Sequence, residues 1–549
     1  MFKIENLLGK GYFPKELPPP FTSKNFAQKY SHINQVWNSI YTNLSKTERK
    51  IYNDSKSIYF SIPKVGFSRR IISVPNPLHQ SILSNSICES WQEIEKIYSC
   101  SLLTTSKPIF DSKNKSIKTK NNYKEFKEQC ILNSYDHIFQ MKTDISRYYS
   151  TIYTHIIPWV IDGKNVAKEK RNDYSRLGNI LDRDVRNTQS GQTMGIPTGP
   201  LTSLIISEII ACKIDEELAR QIDNLNGARY YDDYLLFFND YTSAEKTLKC
   251  LQSILANYHL DINEEKTKIE RFPIPFENSW AIFLSRFEFR ESKDKQATDL
   301  YRYFSLAFEY THQNPKDHVL KYAIKCLESI EIFPENWKMF EALVLKSALS
   351  EPSILPEVVK IFISNENKIS KERVAKLVQE IIQNHCFKKH SFEVSWSLWL
   401  LRSLNINLDY SIAEQVVNSG DPISILIILD MQNCNLISKK LDVSMLELDL
   451  TTNSLFDEKW LLTYESIKKG WLTPSDSNVI SSNQYFYLLY KEDIEFYDEK
   501  QQLEKIKPYK KTQLDNKNKK DQDKEKTSSS DDAYSSETNF SIIDIANIY

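Results

Sequence analysis

The stretch GARYYDDYLLFF at residues 227–238 contains two β-rich runs that meet at a pair of aspartates. This pattern predicts a hairpin with Asp232 and Asp233 at or near its turn. Successive strand residues face opposite sides of a sheet, so only one aspartate points squarely into a shared site unless the turn rotates the other. Taken alone, such a pair is more often a solvated turn at the surface.

A third carboxylate lies upstream, at the end of another predicted strand. HIFQMKTDIS (137–146) alternates apolar and polar residues and leads into Asp144. Carboxylates at adjacent strand ends cannot all stay ionised in one pocket without a cation. Mg²⁺ is the usual hard cation that binds oxygen ligands and substrate phosphates. Two such ions ~3.5–4 Å apart can clamp a phosphoryl displacement, so the pattern predicts a two-Mg²⁺ site.

Five further features of the sequence lie before, between and after these carboxylates: a cluster of glycines and four short segments. Three of only 11 glycines fall within nine residues, at Gly191, Gly195 and Gly199, which indicates that the backbone there must approach something closely. The remaining segments are SRRIISVPNP (68–77), TDISRYYSTIY (143–153), GIPTGPLTS (195–203) and LDINEEKTKIE (260–270).

In this order and spacing, the segments resemble the palm motifs of reverse transcriptases, with SRRIISVPNP as the matching finger segment. The opening GYFPKELPPPF (11–21) and the block RNTQSGQTMGIPTGPLTS (186–203) resemble the bacterial defence-associated reverse transcriptases of the abortive-infection (Abi) type. The resemblance covers roughly residues 1–290 specifically, and the remainder by its helical architecture. It implies a right-hand polymerase fold and a role in antiphage defence.

The resemblance also implies roles for residues near the carboxylates. Asp144 and Asp232 would be the principal metal ligands, with Asp233 beside them. Tyr149 takes the position where such polymerases place a bulky ring under the sugar, which excludes a ribose 2′-OH and favours deoxynucleotides. The alternative for Tyr149 is an ordinary core tyrosine.

Other segments would bind the nucleotide. Arg70 takes the position whose guanidinium holds the incoming triphosphate, with Lys64 assisting from the same fingers. Lys266 would meet the leaving pyrophosphate as a cation or proton donor. The turn that lets backbone amides approach the nucleotide consists of Gly195, Pro197 and Gly199. Each of these charged residues has a solvated surface position as its alternative.

The implied reaction adds a dNTP to a hydroxyl primer and yields DNA. Some members of the Abi-type group extend DNA from a protein hydroxyl without template, and Tyr41 is one candidate for such covalent attachment. A second possibility is a retron-like or intron-like enzyme that copies a bound template or non-coding RNA. A third is an inactive palm that serves as a binding scaffold. Relatives suggest a homo-oligomer.

Composition sets broad limits on these interpretations. The 549 residues carry a net charge of −1, so any nucleic-acid surface must be a local patch. The apolar share of 41% is typical of a folded protein. No run is long and apolar enough for a membrane span, and eight scattered cysteines without a CxxC pair predict a reduced, cytoplasmic protein. HCFKKH (385–390) does not have zinc-site spacing.

The C-terminal half contains few glycines and shows helical periodicity. In SKERVAKLVQEIIQNH (370–385) apolar residues recur on one face, and Ser370 is a predicted N-cap. The predicted fold is α+β: palm and fingers followed by an all-α, repeat-like domain and a disordered tail. The predicted divisions are 1–60 (helical extension), 61–290 (fingers and palm), 291–500 (helical domain) and 501–549 (tail).

Overall fold

The computed structural model describes residues 3–66, 68–111, 116–328 and 330–506. Of the predicted tail, residues 501–506 fall within these ranges, and residues 507–549 lie outside the described residues. Among the helices of the described ranges, no segment combines the length and apolar character that a membrane crossing requires.

The strands of the described residues form one four-stranded sheet and two hairpins, all antiparallel. The order in the larger sheet is β6-β7-β5-β8, while β1 pairs with β2 and β3 with β4. The strands are β1 (Ile58–Pro63), β2 (Arg69–Val74), β3 (Pro108–Asp111), β4 (Ser116–Thr119), β5 (Phe139–Asp144), β6 (Gly227–Tyr230), β7 (Asp233–Phe238) and β8 (Lys268–Arg271).

Helices make up most of the rest. Short 3₁₀ turns occur at Glu48–Tyr52, Pro352–Ile354 and Asn453–Leu455. The α-helices are α1 (Ile4–Lys10), α2 (Lys24–Asn43), α3 (Pro77–Glu89), α4 (Trp91–Tyr98), α5 (Tyr123–Ser134), α6 (Tyr148–Thr151), α7 (Ile156–Asp162), α8 (Lys164–Glu169), α9 (Leu177–Asn187), α10 (Leu201–Gln221), α11 (Tyr241–Asn257), α12 (Ser279–Ser285), α13 (Lys293–Gln313), α14 (Val319–Leu327), α15 (Pro334–Ser350), α16 (Leu355–Ser364), α17 (Lys371–Cys386), α18 (Ser391–Ser403), α19 (Tyr410–Ser419), α20 (Pro422–Asn433), α21 (Ser444–Asp449), α22 (Trp460–Lys468) and α23 (Gln484–Lys491).

The four-stranded sheet is covered by helices on both faces. Met141 on β5 and Leu236 on β7 belong to a core that includes α10 and α11. On the opposite face, Phe237 packs in a smaller cluster with Phe126 of α5. Lys142 of β5 is exposed between two buried neighbours, so the predicted alternation of this strand is confirmed. The predicted hairpin at 227–238 is confirmed as well, and the segment after Pro200 forms the long helix α10.

A buried ion network joins α10 to the hairpin β6–β7. Arg229 is fully buried and donates to both carboxylate oxygens of Glu208, at 2.9 and 3.1 Å, and to Asp215 at 2.9 Å. Its Nη1 also donates to the carbonyl of Tyr231 at 2.6 Å. Glu208 and Asp215 lie seven residues apart on α10, so they share a helix face. Arg229 thereby anchors the hairpin turn to the longest buried helix of the sheet core.

The N-terminal segment and the last helices share one hydrophobic core. Trp37 of α2 packs edge-on against Tyr485 of α23, with ring centroids 5.0 Å apart. Phe13 stacks on Phe496 at 5.9 Å. The predicted helical extension at 1–60 therefore packs against the end of the described chain, although the two are distant in sequence.

The hairpin β1–β2 is bound to α18 by an ion pair. Both terminal nitrogens of Arg69 donate to the carboxylate of Glu393, at 2.6 and 2.7 Å, and only 2% of the Glu393 side chain is exposed. The imidazoles of His385 and His390 lie 3.6 and 3.7 Å from the same carboxylate. The histidines of HCFKKH thus surround an acid that an arginine already binds bidentately.

The C-terminal helices form a layered array. From α13 to α18, each helix packs against the helix two places further along the chain. The predicted helix after Ser370 is confirmed, because the Ser370 hydroxyl accepts a hydrogen bond from the Arg373 amide at 3.4 Å. The described residues from 291 onward form α-helices and 3₁₀ turns without a strand, while the separate helical domain and its repeat-like nature stay predictions.

Replacing Arg229 by Met is expected to lower the free energy of unfolding by about 3–5 kcal/mol, because two buried carboxylates lose their counter-charge. Urea unfolding followed by circular dichroism measures this loss. The matched control is Arg220→Met, which removes an ion pair between the exposed Arg220 and Glu216, both on α10. This change is expected to cost less than about 1 kcal/mol. Equal effects of both changes would show that the buried network does not stabilise the hairpin.

Candidate active site

Three carboxylates converge at one end of the four-stranded sheet. Asp144 is the last residue of β5 and pairs directly with Asp233, the first residue of β7. Asp232 belongs to the two-residue connection between β6 and β7, together with Tyr231. The backbone amide of Ile145 donates to the carbonyl of Asp232 at 3.3 Å, so the turn also lies against the residue that follows β5.

The turn is fixed in an unusual conformation. Tyr231 has a φ of +55°, in the left-handed region that residues with side chains rarely adopt. Its amide donates to Ser106 Oγ at 2.8 Å, and its carbonyl accepts from Arg229. The left-handed conformation of Tyr231 rotates the turn. The sequence pattern predicted that such a rotation is needed for both Asp232 and Asp233 to approach Asp144.

The electrostatics show that the carboxylates are crowded. Burial raises the pKa of Asp232 to about 7, and repulsion from Asp233 and Asp144 adds to the effect. Burial raises the pKa of Asp233 as well, with Asp144 acting in the same direction and Lys266 opposing it. The three acids are thus not fully neutralised by the charges around them.

Lys266 is the cation closest to this cluster among the described residues. Its Nζ donates to Asp144 Oδ2 at 2.6 Å, while about half of its side chain remains exposed. Two hydrogen bonds hold the connection to β8 against the end of β5: the Asn263 amide donates to the Asp144 carbonyl at 2.8 Å, and the hydroxyls of Thr143 and Thr267 lie 2.7 Å apart. Lys266 therefore contacts the aspartate cluster directly.

The cluster suits a hard divalent cation. Asp144 is 5% exposed, and its Oδ1 is buried with no hydrogen-bond partner among the described residues. A buried carboxylate oxygen without a partner carries a large desolvation cost, which a metal ion would offset. The donors are all carboxylate oxygens, which are the ligands that Mg²⁺ prefers. Asp144, Asp232 and Asp233 could hold it.

Tyr149 lies beside the carboxylates. Its side chain is half-buried, its hydroxyl accepts a hydrogen bond from Ser207 Oγ at 3.3 Å, and burial raises its pKa, with the Asp232 charge adding to the shift. The neighbouring Tyr148 is fully inside the core and donates to the Ser207 carbonyl. The ring of Tyr149 is therefore held between α10 and the turn of aspartates.

The glycine-rich turn is packed tightly against its surroundings. The amide of Gly195 donates to the Ile152 carbonyl at 2.8 Å, and the amide of Ile196 donates to the Tyr149 carbonyl at 2.9 Å. These two amides therefore bind the protein's own backbone, and the role of this turn in nucleotide binding stays a prediction. Gly195 has a φ of +81°, and Pro197 is buried.

Gly199 has a different role in the same turn. Its φ is +126°, and a Cβ at this position would lie 2.6 Å from Cγ of Pro14. The adjacent Thr198 carbonyl accepts from the Ser73 amide of β2 at 2.7 Å. The glycine therefore allows the N-terminal segment to close over the junction between the turn and the hairpin β1–β2.

Arg70 and Lys64 lie on the hairpin β1–β2. Arg70 pairs with Ile62 and, by strand alternation, faces away from Arg69. Its guanidinium makes no hydrogen bond or ion pair with any residue in the described ranges. Burial lowers the pKa of Lys64, and the charges of Arg70 and Lys266 lower it further, while Asp232 and Asp144 oppose them. Both cations therefore lie toward the aspartate cluster.

Tyr41 is not part of this arrangement. It lies on α2, packs against Trp37 at 5.6 Å and stacks on the guanidinium of Arg49 at 4.9 Å. It lines a separate cleft of about 340 Å³ beside α9. Two other tyrosines near the chain end, Tyr534 and Tyr549, lie outside the described residues.

Sequence reasoning missed the supports of the site. Arg229 holds the turn and Ser207 holds Tyr149, yet neither belongs to a recognisable motif. The signal that could have revealed the network is the pair Glu208 and Asp215, two acids two turns apart within the apolar stretch LTSLIISEIIACKIDEE (201–217). Acids at that spacing on a buried helix require a buried cation.

One comparison with known proteins, the match to a family model, agrees with this geometry. Residues 62–296 match the family model of the reverse transcriptase (RNA-dependent DNA polymerase). No curated protein matches the chain. Among solved structures, telomerase from Candida albicans in complex with the TWJ fragment of telomeric RNA is similar at 14% identity, over 74% of this chain and 70% of that chain, with a TM-score of 0.27. The family match includes β2 and the aspartate cluster, so the chain contains a reverse transcriptase domain and is a nucleotidyltransferase of the DNA polymerase class.

Proposed function

We propose that the chain is a Mg²⁺-dependent DNA polymerase of reverse transcriptase type that adds dNTPs to a hydroxyl primer. The observation that carries this proposal is the unpartnered Oδ1 of Asp144 beside two crowded carboxylates. Lys266 offsets only part of the negative charge of this cluster, and metal cations would offset the rest. Two bound Mg²⁺ ions would neutralise charge on the transferring phosphoryl group and orient the triphosphate.

The side chains around the cluster divide the remaining tasks. Asp144, Asp232 and Asp233 would hold the metal ions. Lys266 offsets the charge of Asp144 in the free protein, and in the reaction its ammonium would face the leaving pyrophosphate. Catalysis of this kind requires little covalent chemistry from the protein, since positioning and charge neutralisation lower the barrier.

The nucleotide would be recognised by its sugar and its phosphates. The ring of Tyr149 lies between Ser207 and the turn of aspartates, where it would leave no room for a ribose 2′-OH. The guanidinium of Arg70 has no hydrogen-bond or ion-pair partner in the described ranges and would form charge-assisted hydrogen bonds to the triphosphate, with Lys64 beside it.

For the biological role, we infer antiphage defence by abortive infection, in a cytoplasmic homo-oligomer. This inference rests on the resemblance of the motifs to Abi-type enzymes. In that group DNA synthesis without a template is compatible with a protein hydroxyl as primer, and Tyr41 is the residue we propose for it. The half-buried Tyr41 ring lines a cleft of its own, so priming there would require a second copy of the chain or a rearrangement.

A second candidate is RNA-templated DNA synthesis. The matching family model describes an RNA-dependent DNA polymerase, which supports this alternative directly. The scaffold alternative is less favoured, because an inactive protein gains no benefit from three crowded carboxylates whose repulsion opposes folding.

The purified protein is expected to incorporate dNTPs in the presence of Mg²⁺, and Asp144→Asn or Asp232→Asn is expected to lower the rate on the order of 10³-fold. Labelled dNTP incorporation with and without ribonuclease treatment measures the rate. Synthesis that survives removal of RNA supports the template-free proposal, whereas synthesis that stops supports RNA templating. Label that stays on denatured protein and is lost in Tyr41→Phe identifies the primer.

The control for this experiment is Asp223→Asn, since Asp223 is exposed and lies outside the cluster. It is expected to leave the rate unchanged. Circular dichroism verifies that all variants are folded. Incorporation by folded Asp232→Asn at the wild-type rate would refute the assigned site, and no incorporation by the wild type under any condition would favour the scaffold alternative.

Without metal, Asp232 is expected to make the protein less stable as pH rises from about 4 to about 7. Its pKa is 3.8 in the unfolded chain and about 7 in the folded one, so in this window the folded state binds more protons and stability falls as they dissociate. In EDTA, the Tm of the wild type minus that of Asp232→Asn should therefore decrease with pH. Added Mg²⁺ should raise the wild-type Tm more at about pH 8 than at about pH 5. If the difference in Tm between the wild type and Asp232→Asn did not change with pH, the raised pKa of Asp232 would be contradicted.

Tyr149→Ala is expected to raise incorporation of ribonucleotides relative to deoxynucleotides on the order of 10²-fold, because the space for a 2′-OH opens. Tyr149→Phe is the matched control: it keeps the ring and loses only the 3.3 Å contact to Ser207, so discrimination should stay within about twofold. Competition between labelled rNTP and dNTP measures the ratio. Loss of discrimination in both variants would mean that the hydroxyl, and not the ring, excludes ribose.

A further inference from the structure

A cleft of about 280 Å³ separates the hairpin β1–β2 from the C-terminal helices. The N-terminal segment, β1–β2, α14 and the start of α16 line it. Its positive side chains outnumber its two carboxylates, Glu16 and Glu357. The positive side chains are Lys15, Lys64, Arg70, Lys321 and Lys325. Such an excess of one charge inside a concave surface attracts a small polyanion.

The cleft adjoins the aspartate cluster. Arg70 and Lys64 line it, and both lie within electrostatic reach of the site. The charges of Asp144 and Asp232 act to raise the pKa of Lys64, and the charge of Arg70 acts to lower the pKa of Tyr149. A ligand bound between these cations and the aspartates would therefore have one end near the sheet. Its other end would extend into the cleft.

The wall opposite Arg70 is held firmly in place. The bidentate pair between Arg69 and Glu393 ties β2 to α18, and Phe60 packs edge-on against Phe392 with ring centroids 6.3 Å apart. On the third side, Trp396 Nε1 donates to the Glu16 carbonyl at 2.8 Å. Side chains of the C-terminal helices are thus fixed relative to the hairpin.

The sequence of α14 directs two lysines toward this cleft. Val319, Leu320, Ala323, Ile324 and Leu327 are buried in the helical core. Lys321 and Lys325 are separated by one turn and share a face of the helix. Lys321 Nζ lies 3.9 Å from Glu357 Oε1, which is a weak contact, and Glu357 Oε2 is buried with no hydrogen-bond partner in the described ranges.

We propose that Lys321 and Lys325 of α14 bind the β- and γ-phosphates of the incoming deoxynucleoside triphosphate, opposite Arg70 and Lys64. The inference rests on the proposed polymerase function and extends it, because it assigns part of the nucleotide site to a helix beyond the matched residues 62–296. Lysine is a common phosphate ligand that acts as a point charge. The cleft volume is near the lower end of small-ligand pockets, so a polyphosphate fits it better than a duplex.

Glu357 would tune the affinity. Its carboxylate competes with phosphate for Lys321, so removing its charge should strengthen binding. Substitutions of Lys321 and Glu357, which contact each other, should therefore change phosphate affinity in opposite directions. A general loss of folding cannot produce this result.

The test measures binding without chemistry. Inorganic tripolyphosphate, a short labelled oligodeoxynucleotide and a non-hydrolysable α,β-imido dNTP are titrated against the full chain by calorimetry or fluorescence. Lys321→Gln and Lys325→Gln are each expected to weaken tripolyphosphate and imido-dNTP binding about 5–10-fold. Glu357→Gln is expected to tighten it about 2–3-fold. Lys376→Gln changes an exposed lysine on α17 and should leave binding unchanged.

In turnover, the lysine variants should raise the KM for dNTP by the same factor as they weaken binding. Unchanged tripolyphosphate affinity in both lysine variants, with thermal unfolding equal to that of the wild type, overturns the proposal. Loss of oligodeoxynucleotide binding alone also overturns it, since the cleft would then hold a strand. Lysine-dependent tripolyphosphate binding by a wild type that incorporates no dNTP supports the phosphate site and refutes the polymerase function.

Discussion

Repulsion between Asp144, Asp232 and Asp233 is the interaction that the surrounding structure must overcome. The antiparallel pairing of β5 with β7 places Asp144 directly opposite Asp233, and the strained turn at Tyr231 brings Asp232 to the same end of the sheet. Backbone pairing alone cannot hold such a turn. Arg229 and Ser106 bind its carbonyl and amide, so the energy of a buried ion network supports an arrangement that its own charges oppose.

The same logic connects the sheet to the rest of the molecule. The glycine-rich turn joins α6 to the hairpin β1–β2 through main-chain hydrogen bonds, and Gly199 makes room for Pro14. The hairpin is in turn bound to α18 by Arg69. The cations that face the aspartates are therefore positioned by elements from three distant parts of the chain, and the distance between opposite charges is set by packing.

Local patterns in the sequence predicted the local elements. Alternation predicted β5, the double aspartate predicted the turn between β6 and β7, and Ser370 predicted the start of α17, because each depends on neighbouring residues only. The pairs Arg69 with Glu393 and Lys266 with Asp144 could not be predicted, since nothing in a local pattern specifies a partner 324 or 122 residues away. The turn at 195–199 was identified as a close approach, and the amides of Gly195 and Ile196 bind the protein's own backbone. The roles of the site residues and the domain boundaries stay predictions.

The shared core of the first and last helices has a consequence for biosynthesis. Trp37 and Phe13 leave the ribosome early, whereas Tyr485 and Phe496, against which they pack, are among the last described residues to be made. Translation proceeds at about 5–20 residues per second. The delay between the synthesis of α2 and that of α23 is therefore on the order of tens of seconds to more than a minute. During translation this face is exposed to solvent and to other nascent chains, so chaperone binding to the first 60 residues would protect the growing polypeptide until release.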